Sequence, residues 1–198
     1  MSEGTRERIV KAGAAIMHRK GFLGTGLQEV LDEAKAPRGS FYHYFKSKED
    51  FALAVIDYHD MNFSEETRRF LTQESLSPMA RLRAFIEWRR DVYTEKGFTC
   101  GCPIGNMAQE MGDLSEPLRA RLNRFIDDMA AFLHELIQAG QEAGEVRPEL
   151  DAREIAYFLV GAWQGALMRM KVTKSAVPVD VFLKNAFDML LVAGHAPV

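Results

Sequence analysis

The chain has 198 residues, 47% of them hydrophobic, with two cysteines and a formal net charge of −3. That size and apolar content suffice for a buried core without covalent staples, and Cys100 and Cys102, one residue apart, are badly placed to bridge each other. No apolar run approaches the ~20 residues of a bilayer span, and Glu3, Arg6, Glu7 and Arg8 disrupt any signal-peptide pattern, so a cytoplasmic protein without membrane contact is expected.

Helical periodicity dominates, with no sustained alternation of the kind strands need, so the expected fold class is all-α. Ile9, Ala12, Gly13, Ile16 and Met17 recur along a first helix from about Thr5 to Lys20, which Gly21 stops. Phe22 then tucks into a small head. Thr25 is placed to cap a second helix, Gly26 to Lys35, by accepting a bond from a first-turn amide. Ala36-Pro37-Arg38-Gly39 breaks that helix, and a third follows from Arg38 to Tyr44.

Ser47 is the expected N-cap of a fourth helix reaching Leu71, with Glu49 and Asp50 at its positive end. Ser77-Pro78 opens a fifth, carrying Leu82, Phe85, Ile86, Arg89 and Val92 and ending at Lys96-Gly97. A loop from Gly97 to Pro103 leads to a short helix, Ile104 to Met111, stopped by Gly112. Ser115-Glu116-Pro117 starts a long helix reaching Ala143 before Gly144, and two more, Asp151 to Val172 and Val179 to Val192, complete the pattern.

The segment from Gly39 to Asp50 concentrates aromatic, hydroxyl and cationic groups directly after a turn. Helix, tight turn and second helix form the helix-turn-helix layout, whose second helix enters a major groove. Charge agrees mildly. Residues 1–50 hold nine Lys or Arg against seven Asp or Glu, or +2, while the rest hold 16 against 21, or −5. The expected division is a helix-turn-helix DNA-binding head over residues 1–50 and a larger helical body over residues 51–198, which the family resemblance given below makes a ligand-binding and dimerisation domain.

Hydroxyls and cations fix register on phosphates, which makes Thr25, Tyr42, Lys46 and Lys48 candidate backbone contacts. Gln28, Arg38, Ser40 and His43 are candidates for base edges, since Gln suits adenine, Arg suits guanine and Ser suits either. Phe41 and Phe45, four apart, read as core.

Phe22, Thr25, Gly39-Ser40-Phe41-Tyr42-His43-Tyr44-Phe45 and Lys46-Ser47-Lys48-Glu49 together resemble the DNA-binding head of the TetR/AcrR transcriptional regulators. The resemblance implies a homodimeric repressor whose hold on a near-palindromic operator falls when a small-molecule effector occupies the body. Gly26 departs from the family's usual Thr or Ser, so one phosphate-binding hydroxyl is missing. Cys100-Gly101-Cys102-Pro103-Ile104-Gly105-Asn106, with Glu110 and Asp113-Leu114-Ser115, is similar to a segment in the branch containing LmrA, YxaF, AcuR and NemR-type regulators. Some of those answer to flavonoids, acrylate-type compounds or electrophiles.

In the body, Trp88, Tyr93, Phe98, Met107, Met111, Phe125, Met129, Phe132, Trp163 and Met168 are candidates to line an effector cavity, with Asn106, Gln109, Gln164 or Arg169 as polar fixing groups. Each also fits ordinary core or surface. Cys102, before Pro103 and a helix start, is a candidate thiol sensor, or else a small buried hydrophobe. His59, His134 and His195 are scattered, so no metal site is expected, and no cofactor is called for.

The last two helices carry Ile155, Leu159, Ala162, Trp163, Ala166, Leu167 and Met170, then Phe182, Leu183, Ala186, Phe187, Leu190 and Leu191. With Gly161 and Gly165 allowing close approach, these faces are expected to pair across a two-fold axis as a four-helix bundle. Three functions compete: a ligand-responsive repressor of double-stranded operator DNA, the same repressor triggered through Cys102, and a helical interaction protein that binds no DNA. An enzyme is disfavoured, because no Cys-His pair, carboxylate dyad or glycine-rich phosphate loop stands at suitable spacing.

Overall fold

A computed structural model describes residues 4–192, so Glu3 and His195 lie outside the described residues. These form α1 (Thr5–Lys20), α2 (Leu27–Glu33), α3 (Gly39–Tyr44), α4 (Lys48–Leu71), α5 (Pro78–Glu95), α6 (Pro103–Met111), α7 (Glu116–Glu142), α8 (Ala152–Thr173) and α9 (Val177–Asn185). The fold is all-α. Among the described residues the only strand-like pairing is one isolated antiparallel bridge between Val146 and Val192.

By internal packing the chain forms two compact units. The first runs up to Phe63 and includes Cys102–Phe125, and the second comprises Ser64–Gly101 and the chain from Ile126 onward. In the first, α1 buries Ile9, Val10, Ile16 and Met17, and α2 buries Val30 and Leu31. Phe41, Phe45 and Phe51 close a three-ring cluster with centroids 5.3, 5.3 and 5.0 Å apart. Each such pair adds roughly 0.5–1.5 kcal/mol beyond its area. Phe41 and Phe45 are thus core, as their spacing predicts, and they anchor both ends of α3.

Gly21 ends α1 at φ +79°, a backbone angle that L side chains resist, with its N–H bonded to the Met17 carbonyl at 2.8 Å. Ser47 caps α4 as expected, its Oγ accepting the Asp50 N–H at 3.0 Å. The Asp50 carboxylate reaches back to accept the Lys46 N–H at 2.9 Å. Thr25 does not cap α2. Gly26 stands at the N-cap without a side-chain bond, and the buried Thr25 hydroxyl instead donates to the Gly21 carbonyl at 2.6 Å. A carbonyl freed at the end of α1 is the nearer acceptor, so the hydroxyl orders the α1–α2 turn rather than starting the next helix. Helix α2 also ends before Lys35, which sits at φ +49°.

In the second unit, Ser77 accepts the Ala80 N–H at the start of α5, with Pro78 in the first turn. The helix closes in a Schellman turn: Phe98 N–H bonds to Tyr93 and Gly97 N–H to Thr94, both carbonyls, with Gly97 at φ +61°. Phe70, Phe85, Trp88 and Phe132 pack ring to ring between α4, α5 and α7. Asp151 caps α8 by accepting the Arg153 and Glu154 amides at 2.9 and 3.0 Å. These bonds hold its carboxyl below the usual aspartate range.

The last helix departs from the uniform pattern read from sequence. After Asn185 it widens into a π turn, Ala186–Leu190, with Leu191 N–H bonded five residues back to the Ala186 carbonyl. Arg147 ties this end down through its amide to the Leu191 carbonyl and its guanidinium to the Leu190 carbonyl. The apolar period of the sequence continues through the widening and gives no sign of it.

Candidate functional site

Helix α3 has two opposite faces. Phe41 is buried inward, whereas Tyr42 is 71% exposed and Arg38 and His43 are exposed beside it. Ser40 is half-buried and Lys46 exposed just beyond the helix. The Tyr42 ring meets Phe41 edge-on at 5.4 Å and His43 meets Tyr44 at 4.7 Å, so each outward ring has an aromatic neighbour. This arrangement holds a hydroxyl, an imidazole and a guanidinium outward on one short rigid element.

Gln28 lies exposed on α2, and its amide nitrogen donates to Asp32 one turn along at 2.7 Å. That bond uses one of the two amide donors and leaves the other and the carbonyl oxygen for a base edge. Lys48 is half-buried, with its ammonium 4.6 Å from the Phe22 ring. Burial pushes its pKa down, and the Glu110 carboxylate partly offsets that. Thr25, 2% exposed and committed to Gly21, presents no hydroxyl to a phosphate, and we withdraw it as a phosphate contact.

The body candidates are divided between the two units. Cys102, Met107, Met111 and Phe125 belong to the first and are buried there, with Phe125 against Phe63 at 5.3 Å. Trp88, Tyr93, Phe98, Met129, Trp163, Gln164 and Met168 belong to the second. Of these, Tyr93, Met129 and Trp163 are buried, Trp163 against Phe182 at 5.5 Å, while Trp88, Phe98 and Gln164 keep part of their surface. Met168 is 62% exposed and turns away from the core, which corrects its reading as a cavity residue. Its position on α8 lies between buried Leu167 and Met170, on the opposite stripe.

Arg89 is the feature of this unit that the sequence reading passed over. Its guanidinium donates to Glu66 at 2.9 Å and to the Tyr93 hydroxyl at 2.8 Å, and it lies within 5.8 Å of the Trp88 and Tyr93 ring centres. A charged residue at a position of apolar recurrence was the available signal.

The expected pairing face is partly turned inward and partly open, since Leu159, Ala162, Ala166, Phe182, Ala186 and Leu190 also line a groove between α8 and α9. Leu159, Trp163, Ala166, Leu167, Met170, Phe182, Leu183, Ala186, Phe187 and Leu191 are buried within their own chain. The outward face carries Phe158, Met168, Val172, Val177, Val181 and Met189 instead. All the exposed large apolar side chains described in the second unit lie between Tyr157 and Met189. Between α8 and α9 this face forms an open groove of about 740 Å³, lined by Phe158, Gly165, Val181 and Met189 with Arg169 and Asn185 at polar points. A Cβ added to Gly161 or Gly165 would meet no atom of the chain.

Cys102 is the N-cap of α6, its sulfur accepting the Gly105 N–H at 3.4 Å, and both cysteines are buried free thiols. Among the described residues no group of three or more His, Cys, Asp or Glu could hold a metal ion, and no helix is long and apolar enough to cross a membrane.

A helix-turn-helix with an outward recognition face, joined to an all-helical body, defines a DNA-binding regulator. Residues 9–55 match the family of bacterial regulatory proteins named tetR, and residues 78–186 match the tetracyclin repressor-like C-terminal domain. The chain belongs to the TetR family of transcriptional regulators. It is 33% identical to the transcriptional regulator AcuR of Cereibacter sphaeroides, over 90% of this chain and 82% of that protein. It is 32% identical to the transcriptional repressor DhaR of Mycobacterium sp. strain GP1, over 94% of this chain and 92% of that one. A crystal structure of a regulatory protein TetR from Rhodobacter sphaeroides superposes with a TM-score of 0.90 at 32% identity, covering 95% of this chain and 99% of the other.

Proposed function

We propose that the chain is a ligand-responsive repressor that binds a near-palindromic operator as a homodimer and leaves it when a small molecule occupies the body. The division into a head over residues 1–50 and a body over 51–198 belongs to the same reading. The observation that carries it is α3, whose core side holds Phe41 while Tyr42, Arg38 and His43 stand outward. Tyr42, Lys46 and Lys48 take phosphates, and Gln28, Arg38, Ser40 and His43 meet base edges. Two copies of α3 then enter successive major grooves ~34 Å apart.

The outward face of α8 and α9 supports a second copy as its occupant, since an apolar face with small residues at its centre packs closely against its own two-fold image. Effector contact falls to the half-buried Trp88, Phe98 and Gln164, with the Arg89–Glu66 charged pair against Trp88. A ligand shifts the operator-bound population only by its differential affinity for the two states. Tyr42→Ala with Lys48→Ala is expected to weaken operator binding by more than ~1 kcal/mol with fold and dimer retained. Unchanged affinity in a gel-shift titration counts against the head assignment.

Cys102 favours a second trigger, because its sulfur meets an amide donor at a helix start rather than an apolar wall. In that case maleimide releases DNA from the wild-type chain and not from Cys102→Ser. Equal release from both removes the thiol trigger and leaves the repressor standing.

A further inference from the structure

We propose that Glu110 on α6 is a positioning residue for DNA binding, a carboxylate that clamps the α1–α2 turn in the arrangement the operator requires. The inference rests on the DNA-binding reading above and goes beyond it, because Glu110 lies on no element that meets the duplex.

The Glu110 carboxylate accepts the Leu23 N–H at 2.8 Å, across 87 residues of sequence. It fills the space at Gly21, where an added Cβ would collide with Glu110 Oε1. The positive φ constrains Gly21 itself, and the carboxylate packs against the open side that the missing Cβ leaves. Thr25 completes the turn by bonding back to the Gly21 carbonyl, and Phe22, between them, packs beneath the Lys48 ammonium. Glu110 acts electrostatically on that same ammonium. One side chain of α6 thus bonds to the turn that precedes α2, and its charge acts on the cation that begins α4 without a direct bond to it.

A second contact of the same kind lies five residues on. The Ser115 hydroxyl bonds to the Glu49 carboxylate in the first turn of α4, and Ser115 also accepts the Leu118 N–H at the start of α7. Glu110 and Ser115 belong to the segment that resembles one branch of the family, yet neither sits where it could touch DNA or serve as core. Their bonds to Leu23 and Glu49 give both a purpose. Helix α6 and the turn after it hold the head from behind.

The clamp needs an oxygen acceptor at Leu23 more than it needs charge. The experiment compares Glu110→Ala and Glu110→Gln with the wild type, by fluorescence anisotropy on a duplex that the wild-type chain selects from a randomised pool. Thermal melts and gel filtration run beside it. Glu110→Ala is expected to bind about tenfold more weakly while still folding and keeping the wild-type oligomeric state. Glu110→Gln, which retains an acceptor for the Leu23 amide, recovers most of that loss. Wild-type affinity in Glu110→Ala overturns the clamp, as does a Glu110→Gln protein that folds and binds no better than Glu110→Ala. A wild-type chain that selects no duplex at all overturns the DNA-binding reading instead.

Discussion

The two compact units expose opposite chemistries. In the first, the exposed side of α3 carries Tyr42, Arg38 and His43, the exposed aliphatic side chains Leu23, Met61 and Leu114 lie on other segments, and distant segments are joined by charged and polar bonds: Glu110 to Leu23, Ser115 to Glu49, and Arg121 to Asp57 and Asp60. In the second, the core is aromatic and closes well, yet α8 and α9 leave Phe158, Met168, Val172 and Val181 in solvent. A surface that is to meet phosphate must stay hydrated and polar until contact, whereas a surface that is to meet its own copy gains by being apolar. The polar ties of the first unit also set direction, since a hydrogen bond fixes orientation where apolar contact tolerates sliding.

The sharpest break in that comparison comes from making the apolar face polar. Phe158→Glu combined with Val181→Glu places charges on a face read as buried against a second copy. The expected result is a folded monomer by sedimentation with operator affinity down by about a hundredfold or more, because two half-sites no longer bind as one. A dimer of unchanged affinity would move the pairing surface elsewhere.

A smaller effect is expected from the charged ties. Arg121 donates to Asp57 at 2.7 Å and to Asp60 at 2.6 Å, and its side chain is 16% exposed. Burial works against its charge, and the two carboxylates outweigh this and raise its pKa above the usual guanidinium value. Because Asp57 is itself mostly exposed, Arg121→Ala should cost about 1–2 kcal/mol in chemical denaturation, below the cost of breaking a fully buried pair. The smallest change is Ser47→Ala, which removes the cap of α4 and should cost about 1 kcal/mol by the same measurement. A loss confined to Ser47→Ala would mean that caps rather than interhelical ion pairs hold the first unit.

Helix ends were legible wherever a residue acts on its own neighbours. Gly21, Ser47, Ser77-Pro78, Cys102-Pro103 and Asp151 mark boundaries within a residue or two of those observed, since capping and turn chemistry are local. Thr25 misled because two carbonyl and amide groups competed for one hydroxyl, and only the fold decides between them. The face expected to pair was legible only in part, for another reason. Both stripes of α8 are apolar, so periodicity finds a helix without saying which stripe is inward. The partner of Glu110, Leu23, is distant in the chain, and Arg89 showed only as a charge at a position of apolar recurrence, with Tyr93 one turn on and Glu66 distant. The inward reading of Phe41 and Phe45 succeeded because both large rings pack on Phe51, Phe41 from within α3 and Phe45 from the extended residue just after it.

The most direct measurement is an anisotropy titration of the wild-type chain on its selected duplex, repeated across a series of salt concentrations and alongside Tyr42→Ala. The account predicts two subunits per near-palindromic site, an affinity that falls steeply with salt, and weaker binding by the variant at every salt concentration. A chain that ignores every duplex at low ionic strength, or a Tyr42→Ala protein indistinguishable from wild type, would contradict it.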